Sequence, residues 1–217
     1  MNLTSSSEEK FMKLKTLCYF LFFLLSCNNN DWILYRAGND YFPLKKGNWW
    51  QYETNGIFEM VEVKGDTIVY DRPCVHLLRN FADEYWVKDN GDVKKLELRT
   101  VNYNGTDYLI QKAWLLQYRL PFVLGSFWSE AFADTVVVLG DTHRIKQTIT
   151  RQVFEITDIT VPAGTFLQTY KIEYTETFIL NDSTEYYSGY EWFAPGVGLI
   201  KKISNNIEKI LNDYSVK

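Results

Sequence analysis

Three Asn-Gly pairs, Asn55-Gly56, Asn90-Gly91 and Asn104-Gly105, punctuate stretches in which apolar and polar residues alternate. Both residue types tolerate the positive φ that a type I′ turn demands, so each pair marks the tip of a tight β-hairpin. Gly65-Asp66 and Gly140-Asp141 are weaker versions of the same signal. Between the turns the period is two. Leu96 and Leu98 alternate with Lys95, Glu97 and Arg99. Ile145, Ile149 and Val153 share a parity, as do Ile172, Tyr174 and Phe178. Tyr186, Tyr190 and Trp192 point one way, with Glu185 and Glu191 the other. After Asp31 no segment keeps a helical period over three turns. In Ile203 to Tyr214, Ile203, Ile207 and Ile210 fit a helix face, but Asn205-Asn206 reads as a turn, and two strands are the preferred reading. Hairpins in succession, with no Pro/Gly/Ser-rich linker, predict an all-β protein: a single curved antiparallel sheet forming a barrel or half-barrel.

One short pattern recurs. Pro43 to Trp50 (PLKKGNWW) and Pro121 to Trp128 (PFVLGSFW) share Pro, an apolar residue, two residues, Gly, two residues and Trp. Proline fixes φ, glycine permits the bend, and the Trp anchors the following strand in the core. The recurrence hints at two similar halves.

The first residues carry an address rather than a fold. Lys13 and Lys15 precede Leu17 to Leu25, an unbroken apolar run. That run is too short for a spanning helix, which needs about 20 apolar residues, and suits a signal peptide. Glu8 and Glu9 are out of place in such a leader, so Met12 is the better start. The run ends in Leu24-Leu25-Ser26-Cys27, which resembles the lipobox of bacterial lipoproteins. The resemblance implies cleavage between Ser26 and Cys27 and acylation of the Cys27 thiol. Two or more acyl chains make a stable anchor. The domain reading is therefore a signal at 1–26, a lipidated tether at 27–40 and one β domain at 41–217. Asn28, which is not Asp, favours by the same resemblance the outer membrane, with the domain facing the periplasm.

Removing residues 1–26 takes Lys10, Lys13 and Lys15 against Glu8 and Glu9, and leaves 20 Lys+Arg against 25 Asp+Glu. A net charge of −5 argues against nucleic acid as a partner. Cys18 leaves with the signal and Cys27 is the anchor, so Cys74 has no intramolecular disulfide partner and is expected in the core.

Three further segments, Tyr41-Phe42-Pro43-Leu44 through Gly47 and Trp50, Val161-Pro162-Ala163-Gly164-Thr165-Phe166, and Trp192-Phe193-Ala194-Pro195-Gly196-Val197-Gly198-Leu199, are similar to those of a loosely characterised group of bacterial envelope lipoproteins. The resemblance implies an all-β envelope protein and no established activity.

Signatures of chemistry are sparse. No phosphate loop, GxSxG elbow, HExxH or CxxC occurs, and neither a metal nor another cofactor is expected. His76 and His143 are far apart in sequence. Cys74 and His76, two apart on a strand, share a face and would allow a nucleophile to meet a base, although a core thiol is the commoner outcome. Asp83, Glu84, Glu173, Glu176 and Glu191 are carboxylates available for glycan hydrolysis. Aromatic residues make up 17% of the chain, and Trp86, Trp114, Trp128, Tyr190 and Trp192 are the candidates for lining an apolar cavity. The resulting expectation is a non-catalytic binding or scaffold module, anchored to the membrane, that holds a lipid or other apolar ligand. An envelope hydrolase acting on glycans and a carbohydrate-binding module are the alternatives.

Overall fold

The computed structural model describes residues 40–217; the signal segment, Cys27 and all of the tether before Asp40 lie outside the described residues. Twelve strands follow one another: β1 (Trp49–Thr54), β2 (Ile57–Val69), β3 (Arg72–Arg79), β4 (Ala82–Asp89), β5 (Asp92–Tyr103), β6 (Thr106–Arg119), β7 (Phe127–Val138), β8 (Asp141–Val161), β9 (Gly164–Leu180), β10 (Ser183–Ala194), β11 (Gly198–Ser204) and β12 (Ile207–Ser215). They form one sheet in the order β6-β5-β4-β3-β2-β1-β12-β11-β10-β9-β8-β7. Sequence neighbours pair antiparallel, and β1 pairs with β12 through Trp49↔Ser215 and Glu53↔Ile210. The sheet curls into a nearly closed barrel with one unsealed seam, between β6 and β7. Side chains bridge the seam where the backbone does not. The Trp128 indole Nε1 donates to the Gln117 carbonyl at 3.0 Å, and Gln111 Nε2 donates to Gln147 Oε1 at 2.6 Å.

Local chemistry accounts for the strand ends. The three Asn-Gly pairs turn β1 into β2, β4 into β5 and β5 into β6, and in each pair both residues have positive φ. Leu139-Gly140 does the same between β7 and β8, and Asn205-Asn206 separates two final strands. Gly65-Asp66 behaves differently: it lies inside β2, where Gly65 at φ 116° forms a bulge opposite β3. A Cβ there would come within 3.1 Å of Lys46 Cδ, so the glycine admits a neighbouring side chain rather than reversing the chain.

The repeated Pro-to-Trp pattern is a repeated structure. In the first copy Gly47 N donates to Val63 O at 2.9 Å, Val63 N to Asn48 O at 2.8 Å, and Asn48 N to Lys45 O at 3.0 Å. In the second, Gly125 N donates to Val153 O, Val153 N to Ser126 O, and Ser126 N to Val123 O, each at 2.9 Å. Each copy is a corner that feeds a strand, β1 or β7, and ties its start to the following strand, β2 or β8. The barrel thus consists of two six-stranded halves, joined by hydrogen bonds at β12–β1 and left open at β6–β7.

Successive turns alternate between the two ends of the barrel. The chain enters at the end that holds the β4–β5 and β10–β11 connections, where Asp40 O accepts from Gly196 N at 2.8 Å and its carboxylate pairs with Lys88 at 2.5 Å. Tyr41 and Phe42 then plug that end. The Tyr41 ring lies 4.8 Å from Phe122, and Phe42 lies 4.7 Å from Tyr118 and 5.2 Å from Phe193. Asn48, fully buried, fixes the plug by donating from Nδ2 to Pro43 O at 2.7 Å and accepting from Lys217 N at 3.0 Å. At the opposite end, under β5 to β9, Ile110, Val138, Ile145 and Phe178 form a second packed cluster.

Candidate functional site

Between the plug and the opposite rim the barrel holds a cavity of about 430 Å³, within the range of about 300–1,000 Å³ common for small-molecule sites. Its lining combines two chemistries. One is aromatic, built from Phe42, Trp50, Tyr52, Trp86, Tyr118 and Phe193. The Trp50 indole donates to Val197 O at 2.7 Å and the Tyr52 hydroxyl to Leu199 O at 2.9 Å, so both rings are fixed through their polar ends.

The other is a set of ion pairs in two groups, set among these rings. In the first, Arg79 from β3 donates to Glu59 at 2.5 Å and to Glu84 from β4 at 3.0 Å. Lys209 of β12 reaches Glu59 at 2.9 Å, Lys95 of β5 lies 3.4 Å from both Glu84 and Glu97, and the Trp86 indole donates to Glu84 at 3.2 Å. In the second, Arg151 from β8 donates to Glu176 of β9 at 2.6 Å and to Glu191 of β10 at 3.4 Å. Glu191 also accepts from the Tyr118 hydroxyl at 2.9 Å and from Lys202 of β11 at 2.8 Å. The Arg151 guanidinium lies 4.7 Å from the centre of the Tyr118 ring, a cation–π contact that sets its charge against an aromatic face.

Burial by itself raises a carboxyl pKa, yet here the neighbouring cations outweigh it. Arg79 and Lys95 bring Glu84 down to about 2, and Lys202 and Arg151 bring Glu191 to about 2. Burial, with Glu191 beside it, holds the Tyr118 hydroxyl well above its ordinary range. Both glutamates are therefore ionised at neutral pH, the opposite of what a general acid for glycoside cleavage requires.

The other sequence candidates are dispersed. Trp86 lines the cavity. Trp128 is packed in the core beside Phe122, their ring centres 6.3 Å apart. Trp114 is half-buried, with Arg72 over its ring at 5.0 Å. Tyr190 and Trp192 sit on the face of β10 opposite Glu191 and Phe193, where Lys171 lies over both rings at 4.5 and 5.5 Å. Of the carboxylates, Glu84, Glu176 and Glu191 meet in the cavity, whereas Asp83 pairs with His76 at 2.7 Å. His143 bonds the Tyr103 hydroxyl at 2.9 Å. Cys74 is buried and its pKa is raised by that burial, so it lacks the thiolate character of a nucleophile.

Arg79, Arg151 and Lys202 were not among the sequence candidates, although Arg151 carried a signal. It stands between Ile149 and Val153 on the parity that faces the core, and Glu176 stands likewise between Tyr174 and Phe178. A charged residue in phase with buried ones marks a polar interior.

A DUF3108-like family profile matches residues 140–216, which span β8 to β12. No curated protein matches the chain. Among solved structures, a predicted exported protein of Bacteroides fragilis NCTC 9343 with a YmcC-like fold is similar at a TM-score of 0.50 and 13% identity, over 81% of this chain and 98% of the other. A predicted lipoprotein of Parabacteroides distasonis ATCC 8503 is similar at 0.49 and 16%, with the same coverage. The likeness to the Bacteroides fragilis protein is one of fold: the barrel is YmcC-like.

Proposed function

We propose that the chain is a non-catalytic lipoprotein of the bacterial envelope that holds an amphipathic ligand inside its barrel. The observation that carries this reading is the mixed lining of the cavity, in which aromatic rings stand beside ion pairs such as Arg79–Glu84 and Arg151–Glu191. An entirely apolar ligand would cover the charges of Arg79, Glu84, Lys95 and Lys202 without offering them a partner, at a cost in desolvation. A ligand with a polar face avoids that cost, so among the lipids and apolar ligands expected from composition those with a polar headgroup suit the lining best. The lipobox-like Leu24-to-Cys27 segment supports an acyl anchor on Cys27, and Asn28 favours the outer membrane with the barrel on the periplasmic side. The carbohydrate-binding alternative draws less support, because Lys171 caps the Tyr190 and Trp192 rings that would form its platform.

Native mass spectrometry of residues 28–217, purified from cells without detergent, tests the proposal. A co-purifying mass released on denaturation, and lost in a Trp86→Ala/Lys202→Met variant, is the expected result. A bare polypeptide that stays bare after incubation with envelope lipid extracts would sink it.

A further inference from the structure

The lining of the cavity runs out to Thr54, Ser204 and Ile207, beside the β1–β2 and β11–β12 turns at the end of the barrel opposite the plug. Odd-numbered strands run toward this mouth and even-numbered strands away from it. On four of them the charged lining residue stands nearer the mouth than the apolar one. Arg79 follows Leu77 on β3, Glu84 precedes Trp86 on β4, Glu191 precedes Phe193 on β10, and Lys202 follows Leu199 on β11. A molecule that entered tail first would reach the rings at the plug while its polar end stayed among charges.

The number of charges does not select that polar end, because cations and carboxylates of the network are equal in number once Glu59 is included. Unused bonding capacity does. Glu191 accepts from Lys202, Tyr118 and Arg151, and its side chain is 2% exposed. Glu84 accepts from two nitrogens of Arg79 and from Trp86, and is 11% exposed. Glu176 is more open, at 28%, but Arg151 holds it at 2.6 Å. The ammonium groups are less committed. Lys95 Nζ stands 3.4 Å from Glu84 and 3.4 Å from Glu97, beyond the about 2.7–2.9 Å of a charge-assisted bond. Lys202 uses one of its donors on Glu191 at 2.8 Å, and the Tyr174 ring lies 4.3 Å away. These two side chains are 26% and 28% exposed. Arg151 leaves Nη1 without a hydrogen-bond partner among the described residues. The lining thus offers donors, while its acceptors are largely taken.

Building on the proposed role of the barrel in holding an amphipathic ligand, on which this step rests, we infer that the polar end of that ligand is an anionic oxygen group. A carboxylate or a phosphate fits, held by Lys95 and Lys202 with the apolar part directed at the plug. A cationic headgroup would stand beside ammonium groups and find carboxylates already bonded. A neutral headgroup offers the same donors no charge to pair with. An anionic oxygen forms short, charge-assisted bonds with both lysines.

Isothermal titration calorimetry of residues 28–217 at neutral pH tests the inference. Every described strand and core contact lies within 40–217, so this chain retains the whole barrel. The probes are octanoate, octyl phosphate, octyl glucoside and octyltrimethylammonium, each below its micellar concentration. Octanoate or octyl phosphate should bind about tenfold or more tightly than the glucoside and the ammonium probe. Lys95→Met/Lys202→Met should bring the anionic probe down to the affinity of the glucoside and leave glucoside binding unchanged, a loss of preference that structural damage would not give. Lys95→Met alone, whose ion pairs are long, should lose part of the preference with the melting temperature unchanged. Equal affinity for all the probes, tighter binding of the glucoside or the ammonium probe, or an anion preference that survives in the double variant overturns the headgroup assignment and leaves the ligand-holding role standing. Binding of none of the probes overturns both. Acetate or inorganic phosphate bound as tightly as its octyl counterpart would assign the lysines to a free small anion and overturn the inference as well.

Discussion

Arg151 on β8 and Glu191 on β10, two strands apart and 40 positions apart in sequence, meet at 3.4 Å with each side chain only 2% exposed. Two charges this far from water persist because each has further partners. Glu176 takes the second guanidinium edge, while Lys202 and Tyr118 complete the Glu191 carboxylate. Removing one member therefore costs more than removing a surface pair. Arg151→Met should lower unfolding stability by about 3 kcal/mol, read from urea denaturation. Adding Glu191→Gln should cost less than the two single changes combined, because the second change removes the charge the first left uncompensated.

The same pairing dictates the response to acid. Glu84 and Glu191 are held near pKa 2 in the folded barrel, against an ordinary 4.5. A carboxyl with a depressed folded pKa contributes stability that is fully present above its unfolded value and lost as pH falls through the folded one. Thermal melts should be insensitive to this effect from neutral pH down to about 4.5 and fall steeply from there toward pH 2. Glu84→Gln should be less stable than the parent at pH 7 and show a shallower decline in acid. Parallel declines in parent and variant would contradict the assignment.

Gly189 lies on β10 against both β9 and β11, facing Tyr174 and Ser204. A Cβ at that position would stand 1.9 Å from the Ile203 carbonyl oxygen, a backbone atom that cannot swing aside. Gly56, at a hairpin tip with φ 78°, would meet nothing within 4 Å. Gly56→Ala should cost about 1–2 kcal/mol, the ordinary penalty of the left-handed region, and leave the sheet intact. Gly189→Ala should cost more than about 2 kcal/mol and disturb β10–β11. Chemical denaturation of the two variants side by side tests the ranking.

Cys74 sits inside β3 opposite Thr67, buried, with burial raising its pKa. Alkylation of the unacylated barrel at pH 8 should be slow and become fast only in denaturant. Rapid labelling of the native barrel would show an accessible thiolate and restore the Cys74–His76 dyad as a candidate.

Much of the architecture was legible in the sequence because turn chemistry is local. Asn-Gly pairs and two-residue alternation placed the hairpins, and Asn205-Asn206 separated strands where a helical reading competed. The repeat of Pro43 and Pro121 pointed to two equivalent corners. Gly65 misled because a glycine serves a bulge as well as a turn, and only pairing with β3 distinguishes them. The cavity was harder to see for a physical reason. An aromatic residue suits the inside or the outside of a curved sheet, so Trp192 and Trp86 could not be separated until the register of β10 and β4 was known. The buried charges inverted the usual rule. On β5, Lys95 and Glu97 line the interior while Leu98 is exposed, and alternation alone does not say which parity is inside.

The hydrogen-bonded junction between β1 and β12 has a consequence for how the chain assembles. It joins the first and last described strands, so the barrel's longest-range pairing is that of β1 with β12, while its free edges, β6 and β7, are neighbours in sequence. Such a pairing raises contact order and slows folding. A circular permutant opened in the loop at 120–126, with residue 217 joined to residue 40, would convert every pairing in the sheet into one between consecutive strands and should fold faster to the same barrel. In the natural order, β12 is both the last of the twelve described strands and a wall of the cavity. The cavity therefore lacks a wall until β12 has paired with β1, so the interior is completed by the same contact that joins the two halves of the sheet.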